Sequence, residues 1–235
     1  MNAISSKNVA LVKVILSRIV LTDPPAEDGA YFSDLAYLHS PLSYAAQNCN
    51  VEIVELLLNA NTNASYISPA GLTTLLSAVQ QCGQFPDDAE KIVQLLLKGG
   101  TNVNYALPKN FQESFDDDPQ RDFHRGWIPG DTALDIAAKH GCFSIFQHLL
   151  AAGAQLTDRI LYCATLGEST TLVKQISDYG VNPNHRGYKE YDALRVASCA
   201  GNLEIVELLL NRGAQIDFSQ CEDEDEGSLS EHPLL

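Results

Sequence analysis

The sequence predicts an all-α solenoid of stacked helix-turn-helix units that carries one long inserted loop. Three observations carry that prediction: an apolar helical segment that returns six times, a left-handed terminator after most copies, and a short helix of small residues ahead of five of them. Residues 50–59 (NVEIVELLLN) return almost unchanged as 202–211 (NLEIVELLLN), 152 positions later. Weaker copies occupy 8–16, 90–97, 144–150 and 171–176. In each copy the apolar residues recur at helical spacing, so one face is greasy and must be covered. Five copies run into a residue suited to a positive φ: Asn61, Gly100, Gly153, Gly180 and Gly213. Such residues stop a helix because they relieve the Cβ clash of the left-handed conformation.

Upstream of five copies stand Tyr44-Ala45-Ala46, Ser77-Ala78-Val79, Ile136-Ala137-Ala138, Tyr162-Cys163-Ala164 and Val196-Ala197-Ser198. Small side chains let the first helix of each pair approach its neighbours closely, as a stack of similar units requires. The turn ahead of that helix reads Ser40-Pro41-Leu42-Ser43, Thr73-Thr74-Leu75-Leu76, Thr132-Ala133-Leu134-Asp135 and Asp192-Ala193-Leu194-Arg195. The unit closes with Gly100-Thr101-Asn102-Val103-Asn104, Gly180-Val181-Asn182-Pro183-Asn184 or Gly213-Ala214-Gln215-Ile216-Asp217. In these motifs the chain resembles the ankyrin-repeat family, whose units open on a Thr-Pro-Leu-His-like turn and close on a Gly-Ala-Asp-Val-Asn-like one. The resemblance spans about residues 3–217.

Departures from the family period of 33 locate the irregular parts. The terminators at 61, 100, 153, 180 and 213 give intervals of 39, 53, 27 and 33. The excess of 6 fits an insertion at 83–88, between paired helices. The excess of 20 fits a lengthened loop over 105–126, and the deficit of 6 a shortened loop before Asp158. The expected organisation is an ankyrin-repeat domain, 1–217, of about six units: 3–21 (a partial cap), 38–66, 69–104, 127–156, 157–184 and 187–217. A loop over 22–37 follows the first unit, and an acidic, disordered tail is expected at 218–235.

The resemblance implies a concave groove made by the first helices and the loop tips. Its groove-facing row would be Gln47 and Asn48, Gln80 and Gln81, Lys139 and His140, Thr165 and Leu166, and Cys199 and Ala200. The loop tips add Tyr37, His39, Trp127, Asp131, Tyr188, Lys189 and Tyr191. Trp and Tyr are enriched at binding hot spots, although the same rings can instead cover the seam between units. The 105–126 loop carries Phe111, Phe115 and Phe123 around Asp116-Asp117-Asp118, with Arg121 and Arg125 nearby. A loop that long adds nothing to a repeat core and points to function, while self-packing is the structural alternative. The expected binding set is therefore Tyr37, His39, Gln47, Asn48, Gln80, Gln81, Phe111, Phe115, Phe123, Arg125, Trp127, Asp131, Lys139, His140, Tyr188, Lys189 and Tyr191, and the expected partner is another protein.

Composition excludes other classes. The chain has 235 residues with 15 Lys+Arg against 30 Asp+Glu, a formal charge of -15. That excess repels phosphate backbones and anionic membranes, and no basic cluster offsets it. Six of the acids fall in 218–235, which has no Lys or Arg; the tail acts as a solubiliser or as a contact for a basic partner. No apolar run reaches the roughly 20 residues of a membrane span, and 1–7 lack secretory-signal features. An intracellular, cytoplasmic location is expected, with nucleus or host-cell cytosol as alternatives; without secretion, the Asn63-Ala64-Ser65 acceptor pattern has no bearing.

The six cysteines (Cys49, Cys82, Cys142, Cys163, Cys199, Cys221) have no close pair in sequence, and five read as small core residues. Phosphate-binding glycine loops, the nucleophile elbow and the zinc-protease motif are absent from the sequence. Cys142 with His140 and His148 is the best nucleophile set, yet the histidines belong to different faces. Asp116, Asp117, Asp118, Asp122 and His124 offer hard ligands without the calcium-loop spacing. The expectation is a non-catalytic, monomeric protein-interaction scaffold with no cofactor and no metal. The alternative is a recognition or targeting module of a larger enzyme, or of a bacterial effector acting in a host cell.

Overall fold

The computed structural model describes residues 9–10, 40–69, 71–109, 128–187 and 191–216. Among them ten helices form five consecutive pairs, and the only extended pairings are two isolated antiparallel bridges, Ile67 with Thr73 and Ala106 with Thr132. The inner layer comprises α1 (Pro41–Gln47), α3 (Thr74–Val79), α5 (Ala133–Lys139), α7 (Ile160–Leu166) and α9 (Ala193–Cys199). The outer layer comprises α2 (Val51–Asn59), α4 (Pro86–Lys98), α6 (Phe143–Ala151), α8 (Thr170–Asp178) and α10 (Leu203–Asn211). Each inner helix packs on the next and on its own outer partner. The sequence motifs lie where this all-α solenoid needs them. The first 3–21 unit lies outside the described residues except for 9–10, and the 22–37 loop and the 218–235 tail lie outside them.

Local chemistry explains the starts and stops. Ser40, Thr73, Thr132 and Asp192, the first residues of the opening turns, are the N-caps of α1, α3, α5 and α9, and each side chain accepts the amide three residues on. Such a cap satisfies one of the orphan donors of a helix start and contributes about 1 kcal/mol. Asn50 and Asn202 cap the two near-identical outer helices in the same way. The five terminators all adopt positive φ, from 59° at Asn61 to 90° at Gly153. At Asn61, Gly100, Gly153 and Gly213 the chain closes a Schellman motif; at Gly153 the bonds are Gly153 N to Leu150 O (2.9 Å) and Ala154 N to Leu149 O (3.0 Å).

Every residue of α3, α5 and α7 is buried, whereas the outer helices bury one face only. Small residues make the difference, because an alanine or serine contact leaves room for another helix on each side. The hydroxyls of Ser43 and Ser77 meet across α1 and α3 at 2.9 Å. Gly167 follows α7 so close to α5 that an added Cβ would lie 2.3 Å from the Ala138 carbonyl oxygen. Successive loops are tied by asparagines of the closing pattern. Asn104 donates to Gly153 O (3.1 Å) and accepts from Gln155 N (2.8 Å), and Asn184 repeats both bonds with Gly213 O (3.2 Å) and Gln215 N (2.7 Å).

The irregular parts resolve as follows. Three residues separate the paired helices in four units, but six (80–85) separate α3 from α4, and α4 has 13 residues where the other outer helices have nine. Part of the predicted 83–88 insertion is therefore helix: Pro86 to Asp88 form the first turn of α4, where proline at the start and two acids suit the helix dipole. The loop between α6 and α7 has eight residues (152–159) against 14 in 60–73, which matches the shortened loop expected before Asp158.

On the outer layer, His148 of α6 lies 2.8 Å from Glu90 of α4. Hydrogen bonds from Ser144 and then from His148 hold the Glu90 carboxyl below its usual value of 4.5. A depressed carboxylate adds stability above its unfolded pKa, and that stability disappears as pH falls through the folded value. Glu90→Gln is expected to cost a small amount at pH 6, and the gap to the parent should narrow as pH falls below the usual carboxylate value, as read by urea midpoints across that range. A gap that stays constant with pH would assign the contact no ionic role.

Candidate protein-binding surface

The ends of the inner helices form one row. Asn48, Gln80, His140, Gly167 and Ala200 are the C-caps of α1, α3, α5, α7 and α9, so the fold repeats this position once per unit. Gln47, Asn48, Gln80, Gln81 and His140 are half-buried there, with edges open to solvent. Asn48 donates to Tyr44 O at 2.8 Å, which fixes its amide. Burial, then the charge of Lys139, lowers the pKa of His140, so near neutral pH this row offers a neutral imidazole beside amides. Units two and three of the described stack each add an exposed phenylalanine at the start of the outer helix, Phe85 (51% exposed) and Phe143 (42%). Sequence reasoning missed both, because each sits where a core residue also fits the helical pattern.

Four residues expected in the row or at the tips are spent inside the fold. Asp131 is 0% exposed and Lys139 8% exposed. Lys139 Nζ donates to Asp131 Oδ2 at 2.6 Å, the Ile128 amide donates to the same oxygen at 2.8 Å, and Arg159 pairs with Asp131 Oδ1. Burial pushes the Asp131 carboxyl up, against the opposing pull of Lys139 and Arg159. Neither Asp131 nor Lys139 presents its charge to a partner, which corrects their place in the expected set. Thr165 and Leu166 are buried as well; the Thr165 hydroxyl donates to Leu161 O at 2.9 Å. Tyr191 is half-buried, packs on the core and lies under Arg195, 4.2 Å from ring centroid to guanidinium carbon. It serves the seam rather than an exposed tip.

The ion cluster has a structural cause. Ahead of α7 the shortened loop lacks the antiparallel bridge that precedes α3 and α5, and the N-cap position is Arg159, with no side-chain cap. Arg159 reaches back instead, donating to Pro129 O at 3.2 Å as well as to Asp131, while Thr157 donates to Asp135 Oδ1 at 2.5 Å. Asp135 also completes a capping box with Thr132. Two signals were legible in sequence: Asp135 at the histidine position of the opening turn, and the deficit before Asp158.

The long insertion leaves the stack through a closed stem. Leu107 N donates to Asp131 O (2.9 Å) and Gly130 N to Leu107 O (2.8 Å), so 106–108 and 130–132 run side by side. Tyr105 holds the stem to the neighbouring unit through its hydroxyl, 2.9 Å from Gly71 O. Phe111, Phe115, Phe123, Arg125 and Trp127 lie outside the described residues, as do Tyr37, His39, Tyr188 and Lys189.

Cysteine placement also differs from the expectation. Cys82, in the turn after α3, is bonded to Cys142, the N-cap of α6, across 60 residues with a Cα–Cα distance of 6.3 Å. The two are far apart in sequence, and stacking brings consecutive turns side by side. Cys163 is a core residue as expected, whereas Cys199 is an exposed free thiol. The Cys142 sulfur faces the backbone carbonyl of His140 (3.5 Å), while His148 is committed to Glu90. Among the described residues there is no group of three or more His, Cys, Asp or Glu placed to hold a metal ion, and no helix long and apolar enough to cross a membrane.

The family model described as ankyrin repeats (3 copies) matches residues 1–106 and 134–220, interrupted only where the long loop enters. The chain belongs to the ankyrin-repeat family. Its fold is that of solved ankyrin-repeat domains. The human ASB11 ankyrin repeat domain aligns over 92% of this chain and 84% of its own, at 17% identity and TM-score 0.64. An ankyrin repeat domain from Acinetobacter baumannii AYE aligns over 91% and 96%, at 24% identity and TM-score 0.59. Two curated relatives are serine/threonine-protein kinase 12 of Arabidopsis thaliana (39% identical over 59 residues, 25% of this chain) and serine/threonine-protein kinase TNNI3K of Mus musculus (30% over 105 residues, 40% of this chain). The aligned region spans 13% of the length of each kinase. Ankyrin repeats generally mediate protein–protein interaction.

Proposed function

We propose that this ankyrin-repeat chain is a non-catalytic scaffold that binds another protein along the inner-helix ends, with the 105–126 insertion as a specific appendage. The observation that carries the reading is the pairing of exposed Phe85 and Phe143 with the half-buried row Gln80, Gln81 and His140 on two consecutive turns. Aromatic anchors beside uncharged polar groups match the composition of an interface core. Amides and a neutral imidazole suit a polypeptide backbone, which offers both donors and acceptors. The closed stem at 106–108 and 130–132 supports a role for the insertion, since it holds both ends of a phenylalanine-rich loop beside the same unit.

The test uses the intact chain as bait, a Phe85→Ala/Phe143→Ala variant and a deletion of 109–123, with bound proteins identified by mass spectrometry. Both variants should keep the parent stability within about 0.5 kcal/mol, as surface changes do. A specific partner should be lost from the double variant by at least tenfold and weakened by the deletion. Partners retained equally by all three proteins would sink the assigned surface. The two kinase relatives favour a second reading, in which the array directs a larger enzyme to its substrate; a longer reading frame that encodes a catalytic domain would support it.

A further inference from the structure

We propose that Cys82 and Cys142 are a reversible oxidation site, a thiol–disulfide clasp between two neighbouring repeats that is closed by a low-molecular-weight disulfide such as glutathione disulfide. The proposal goes beyond the binding reading, because the thiol chemistry needs no protein partner. Stacking alone holds the two Cα atoms 6.3 Å apart across 60 residues, within the span of a disulfide. The two sulfurs differ in access. Cys82 is 1% exposed, whereas Cys142 is half-buried at an edge. Cys142 also stands at the N-cap position of α6, a nine-residue helix whose start has no side-chain cap hydrogen bond, so its sulfur is not engaged with the helix amides.

Cys142 is therefore the entry point and Cys82 the resolving thiol. The Cys142 thiolate attacks one sulfur of glutathione disulfide, which forms a mixed disulfide and expels one glutathione thiolate. The Cys82 thiolate then attacks the Cys142 sulfur and expels the second. Two protein thiols are oxidised to one disulfide, one glutathione disulfide is reduced to two glutathiones, and the two thiol protons end on those glutathiones. Excess glutathione runs the exchange backwards. Other cysteines serve as controls. Burial, and then the Asp135 carboxylate, pushes the Cys163 thiol well up, which keeps it inert. Cys199 is exposed and not disulfide-bonded, so it stops at the mixed disulfide.

Closing the clasp ties the six-residue turn 80–85 to the turn 140–142, and with them Gln80, Gln81, His140, Phe85 and Phe143. Reduction removes the covalent tie between the two turns. The test takes the intact chain, fully reduced and desalted, treats it with glutathione disulfide at neutral pH, alkylates it, and maps thiols by peptide mass spectrometry. The expected product is a peptide linking Cys82 to Cys142, with amide exchange at 80–85 and 140–143 slowed several-fold relative to the reduced protein. In Cys82→Ala the reaction should halt with glutathione on Cys142. Cys142 remaining alkylatable in the wild-type chain, or stopping at the mixed disulfide while Cys82 stays free, would overturn the site. A linked peptide with unchanged exchange would overturn the clasp. The wild-type readouts suffice alone if Cys82→Ala does not fold.

Discussion

Asp131→Ala is expected to lower the unfolding free energy by about 3–5 kcal/mol, because it removes a buried carboxylate that pairs with two cations. Lys139 has a side chain only 6% exposed and places its ammonium 2.6 Å from the Asp131 carboxylate. Without that carboxylate the ammonium loses a buried, close counter-charge that its slight exposure to water replaces poorly. Arg159 is 19% exposed and can turn outward, so Lys139 dominates the cost. Removing both partners should behave differently. Asp131→Leu with Lys139→Met replaces the pair by packed apolar side chains, and buried pairs exchanged in this way are often neutral. The double variant should thus recover most of the loss. Urea unfolding gives the magnitudes, and amide exchange shows the place, since a weakened repeat seam opens locally. Protection should fall first around 128–160. An Asp131→Ala loss under about 1 kcal/mol would mean the cluster is solvated and contributes little.

Gly167→Ala tests how closely the inner helices approach. Gly167 has an ordinary backbone conformation (φ -76°), so alanine brings no dihedral strain there. Its Cβ would instead meet Ala138 O at 2.3 Å, Lys139 O at 2.8 Å and Gly141 N at 2.9 Å. These are backbone atoms of the preceding unit, which cannot rotate away as a side chain would. The expected cost is about 3 kcal/mol, the upper end for overpacking, with the seam between α5 and α7 forced apart. Gly153→Ala is the matched control. Gly153 has φ 90° and nothing within 4 Å of an added Cβ, so it reports left-handed strain alone, about 1–2 kcal/mol. If Gly167→Ala cost no more than the control, the close approach would not limit the stack.

Much of the repeat was readable because its causes are local. Thr132, Asp192 and Asn202 cap helices through their own side chains three residues ahead, and Gly100 or Gly153 ends a helix through its own φ. The shortened loop before Asp158 was visible as a spacing, and so was the long insertion. Lys139 was misread as open to solvent because its counterparts Gln47, Gln80 and Cys199 are partly or fully exposed, and Asp131 because a charged loop residue ordinarily faces water. Here the shortened loop ahead of α7 brings Arg159 onto Asp131. Cys82 and Cys142 carried no signal in linear spacing; only the stacking of consecutive turns makes 60 residues equal to one bond.

The near-duplicate helices α2 and α10 separate the two kinds of information. Their ten-residue segments, 50–59 and 202–211, differ at one residue, and by itself that sequence determined an asparagine cap, a nine-residue helix and one greasy face in both places, with a left-handed stop two residues on at Asn61 and Gly213. Burial was not determined that way. Val54 is fully buried against the next unit, whereas its counterpart Val206 is only partly covered and Leu210 is 41% exposed at the end of the described stack. Capping and termination draw on atoms a few residues apart, which every copy brings with it. Burial, the Asp131 ion cluster and the Cys82–Cys142 bond draw on whichever unit happens to stand alongside, and only the tertiary stack supplies that neighbour.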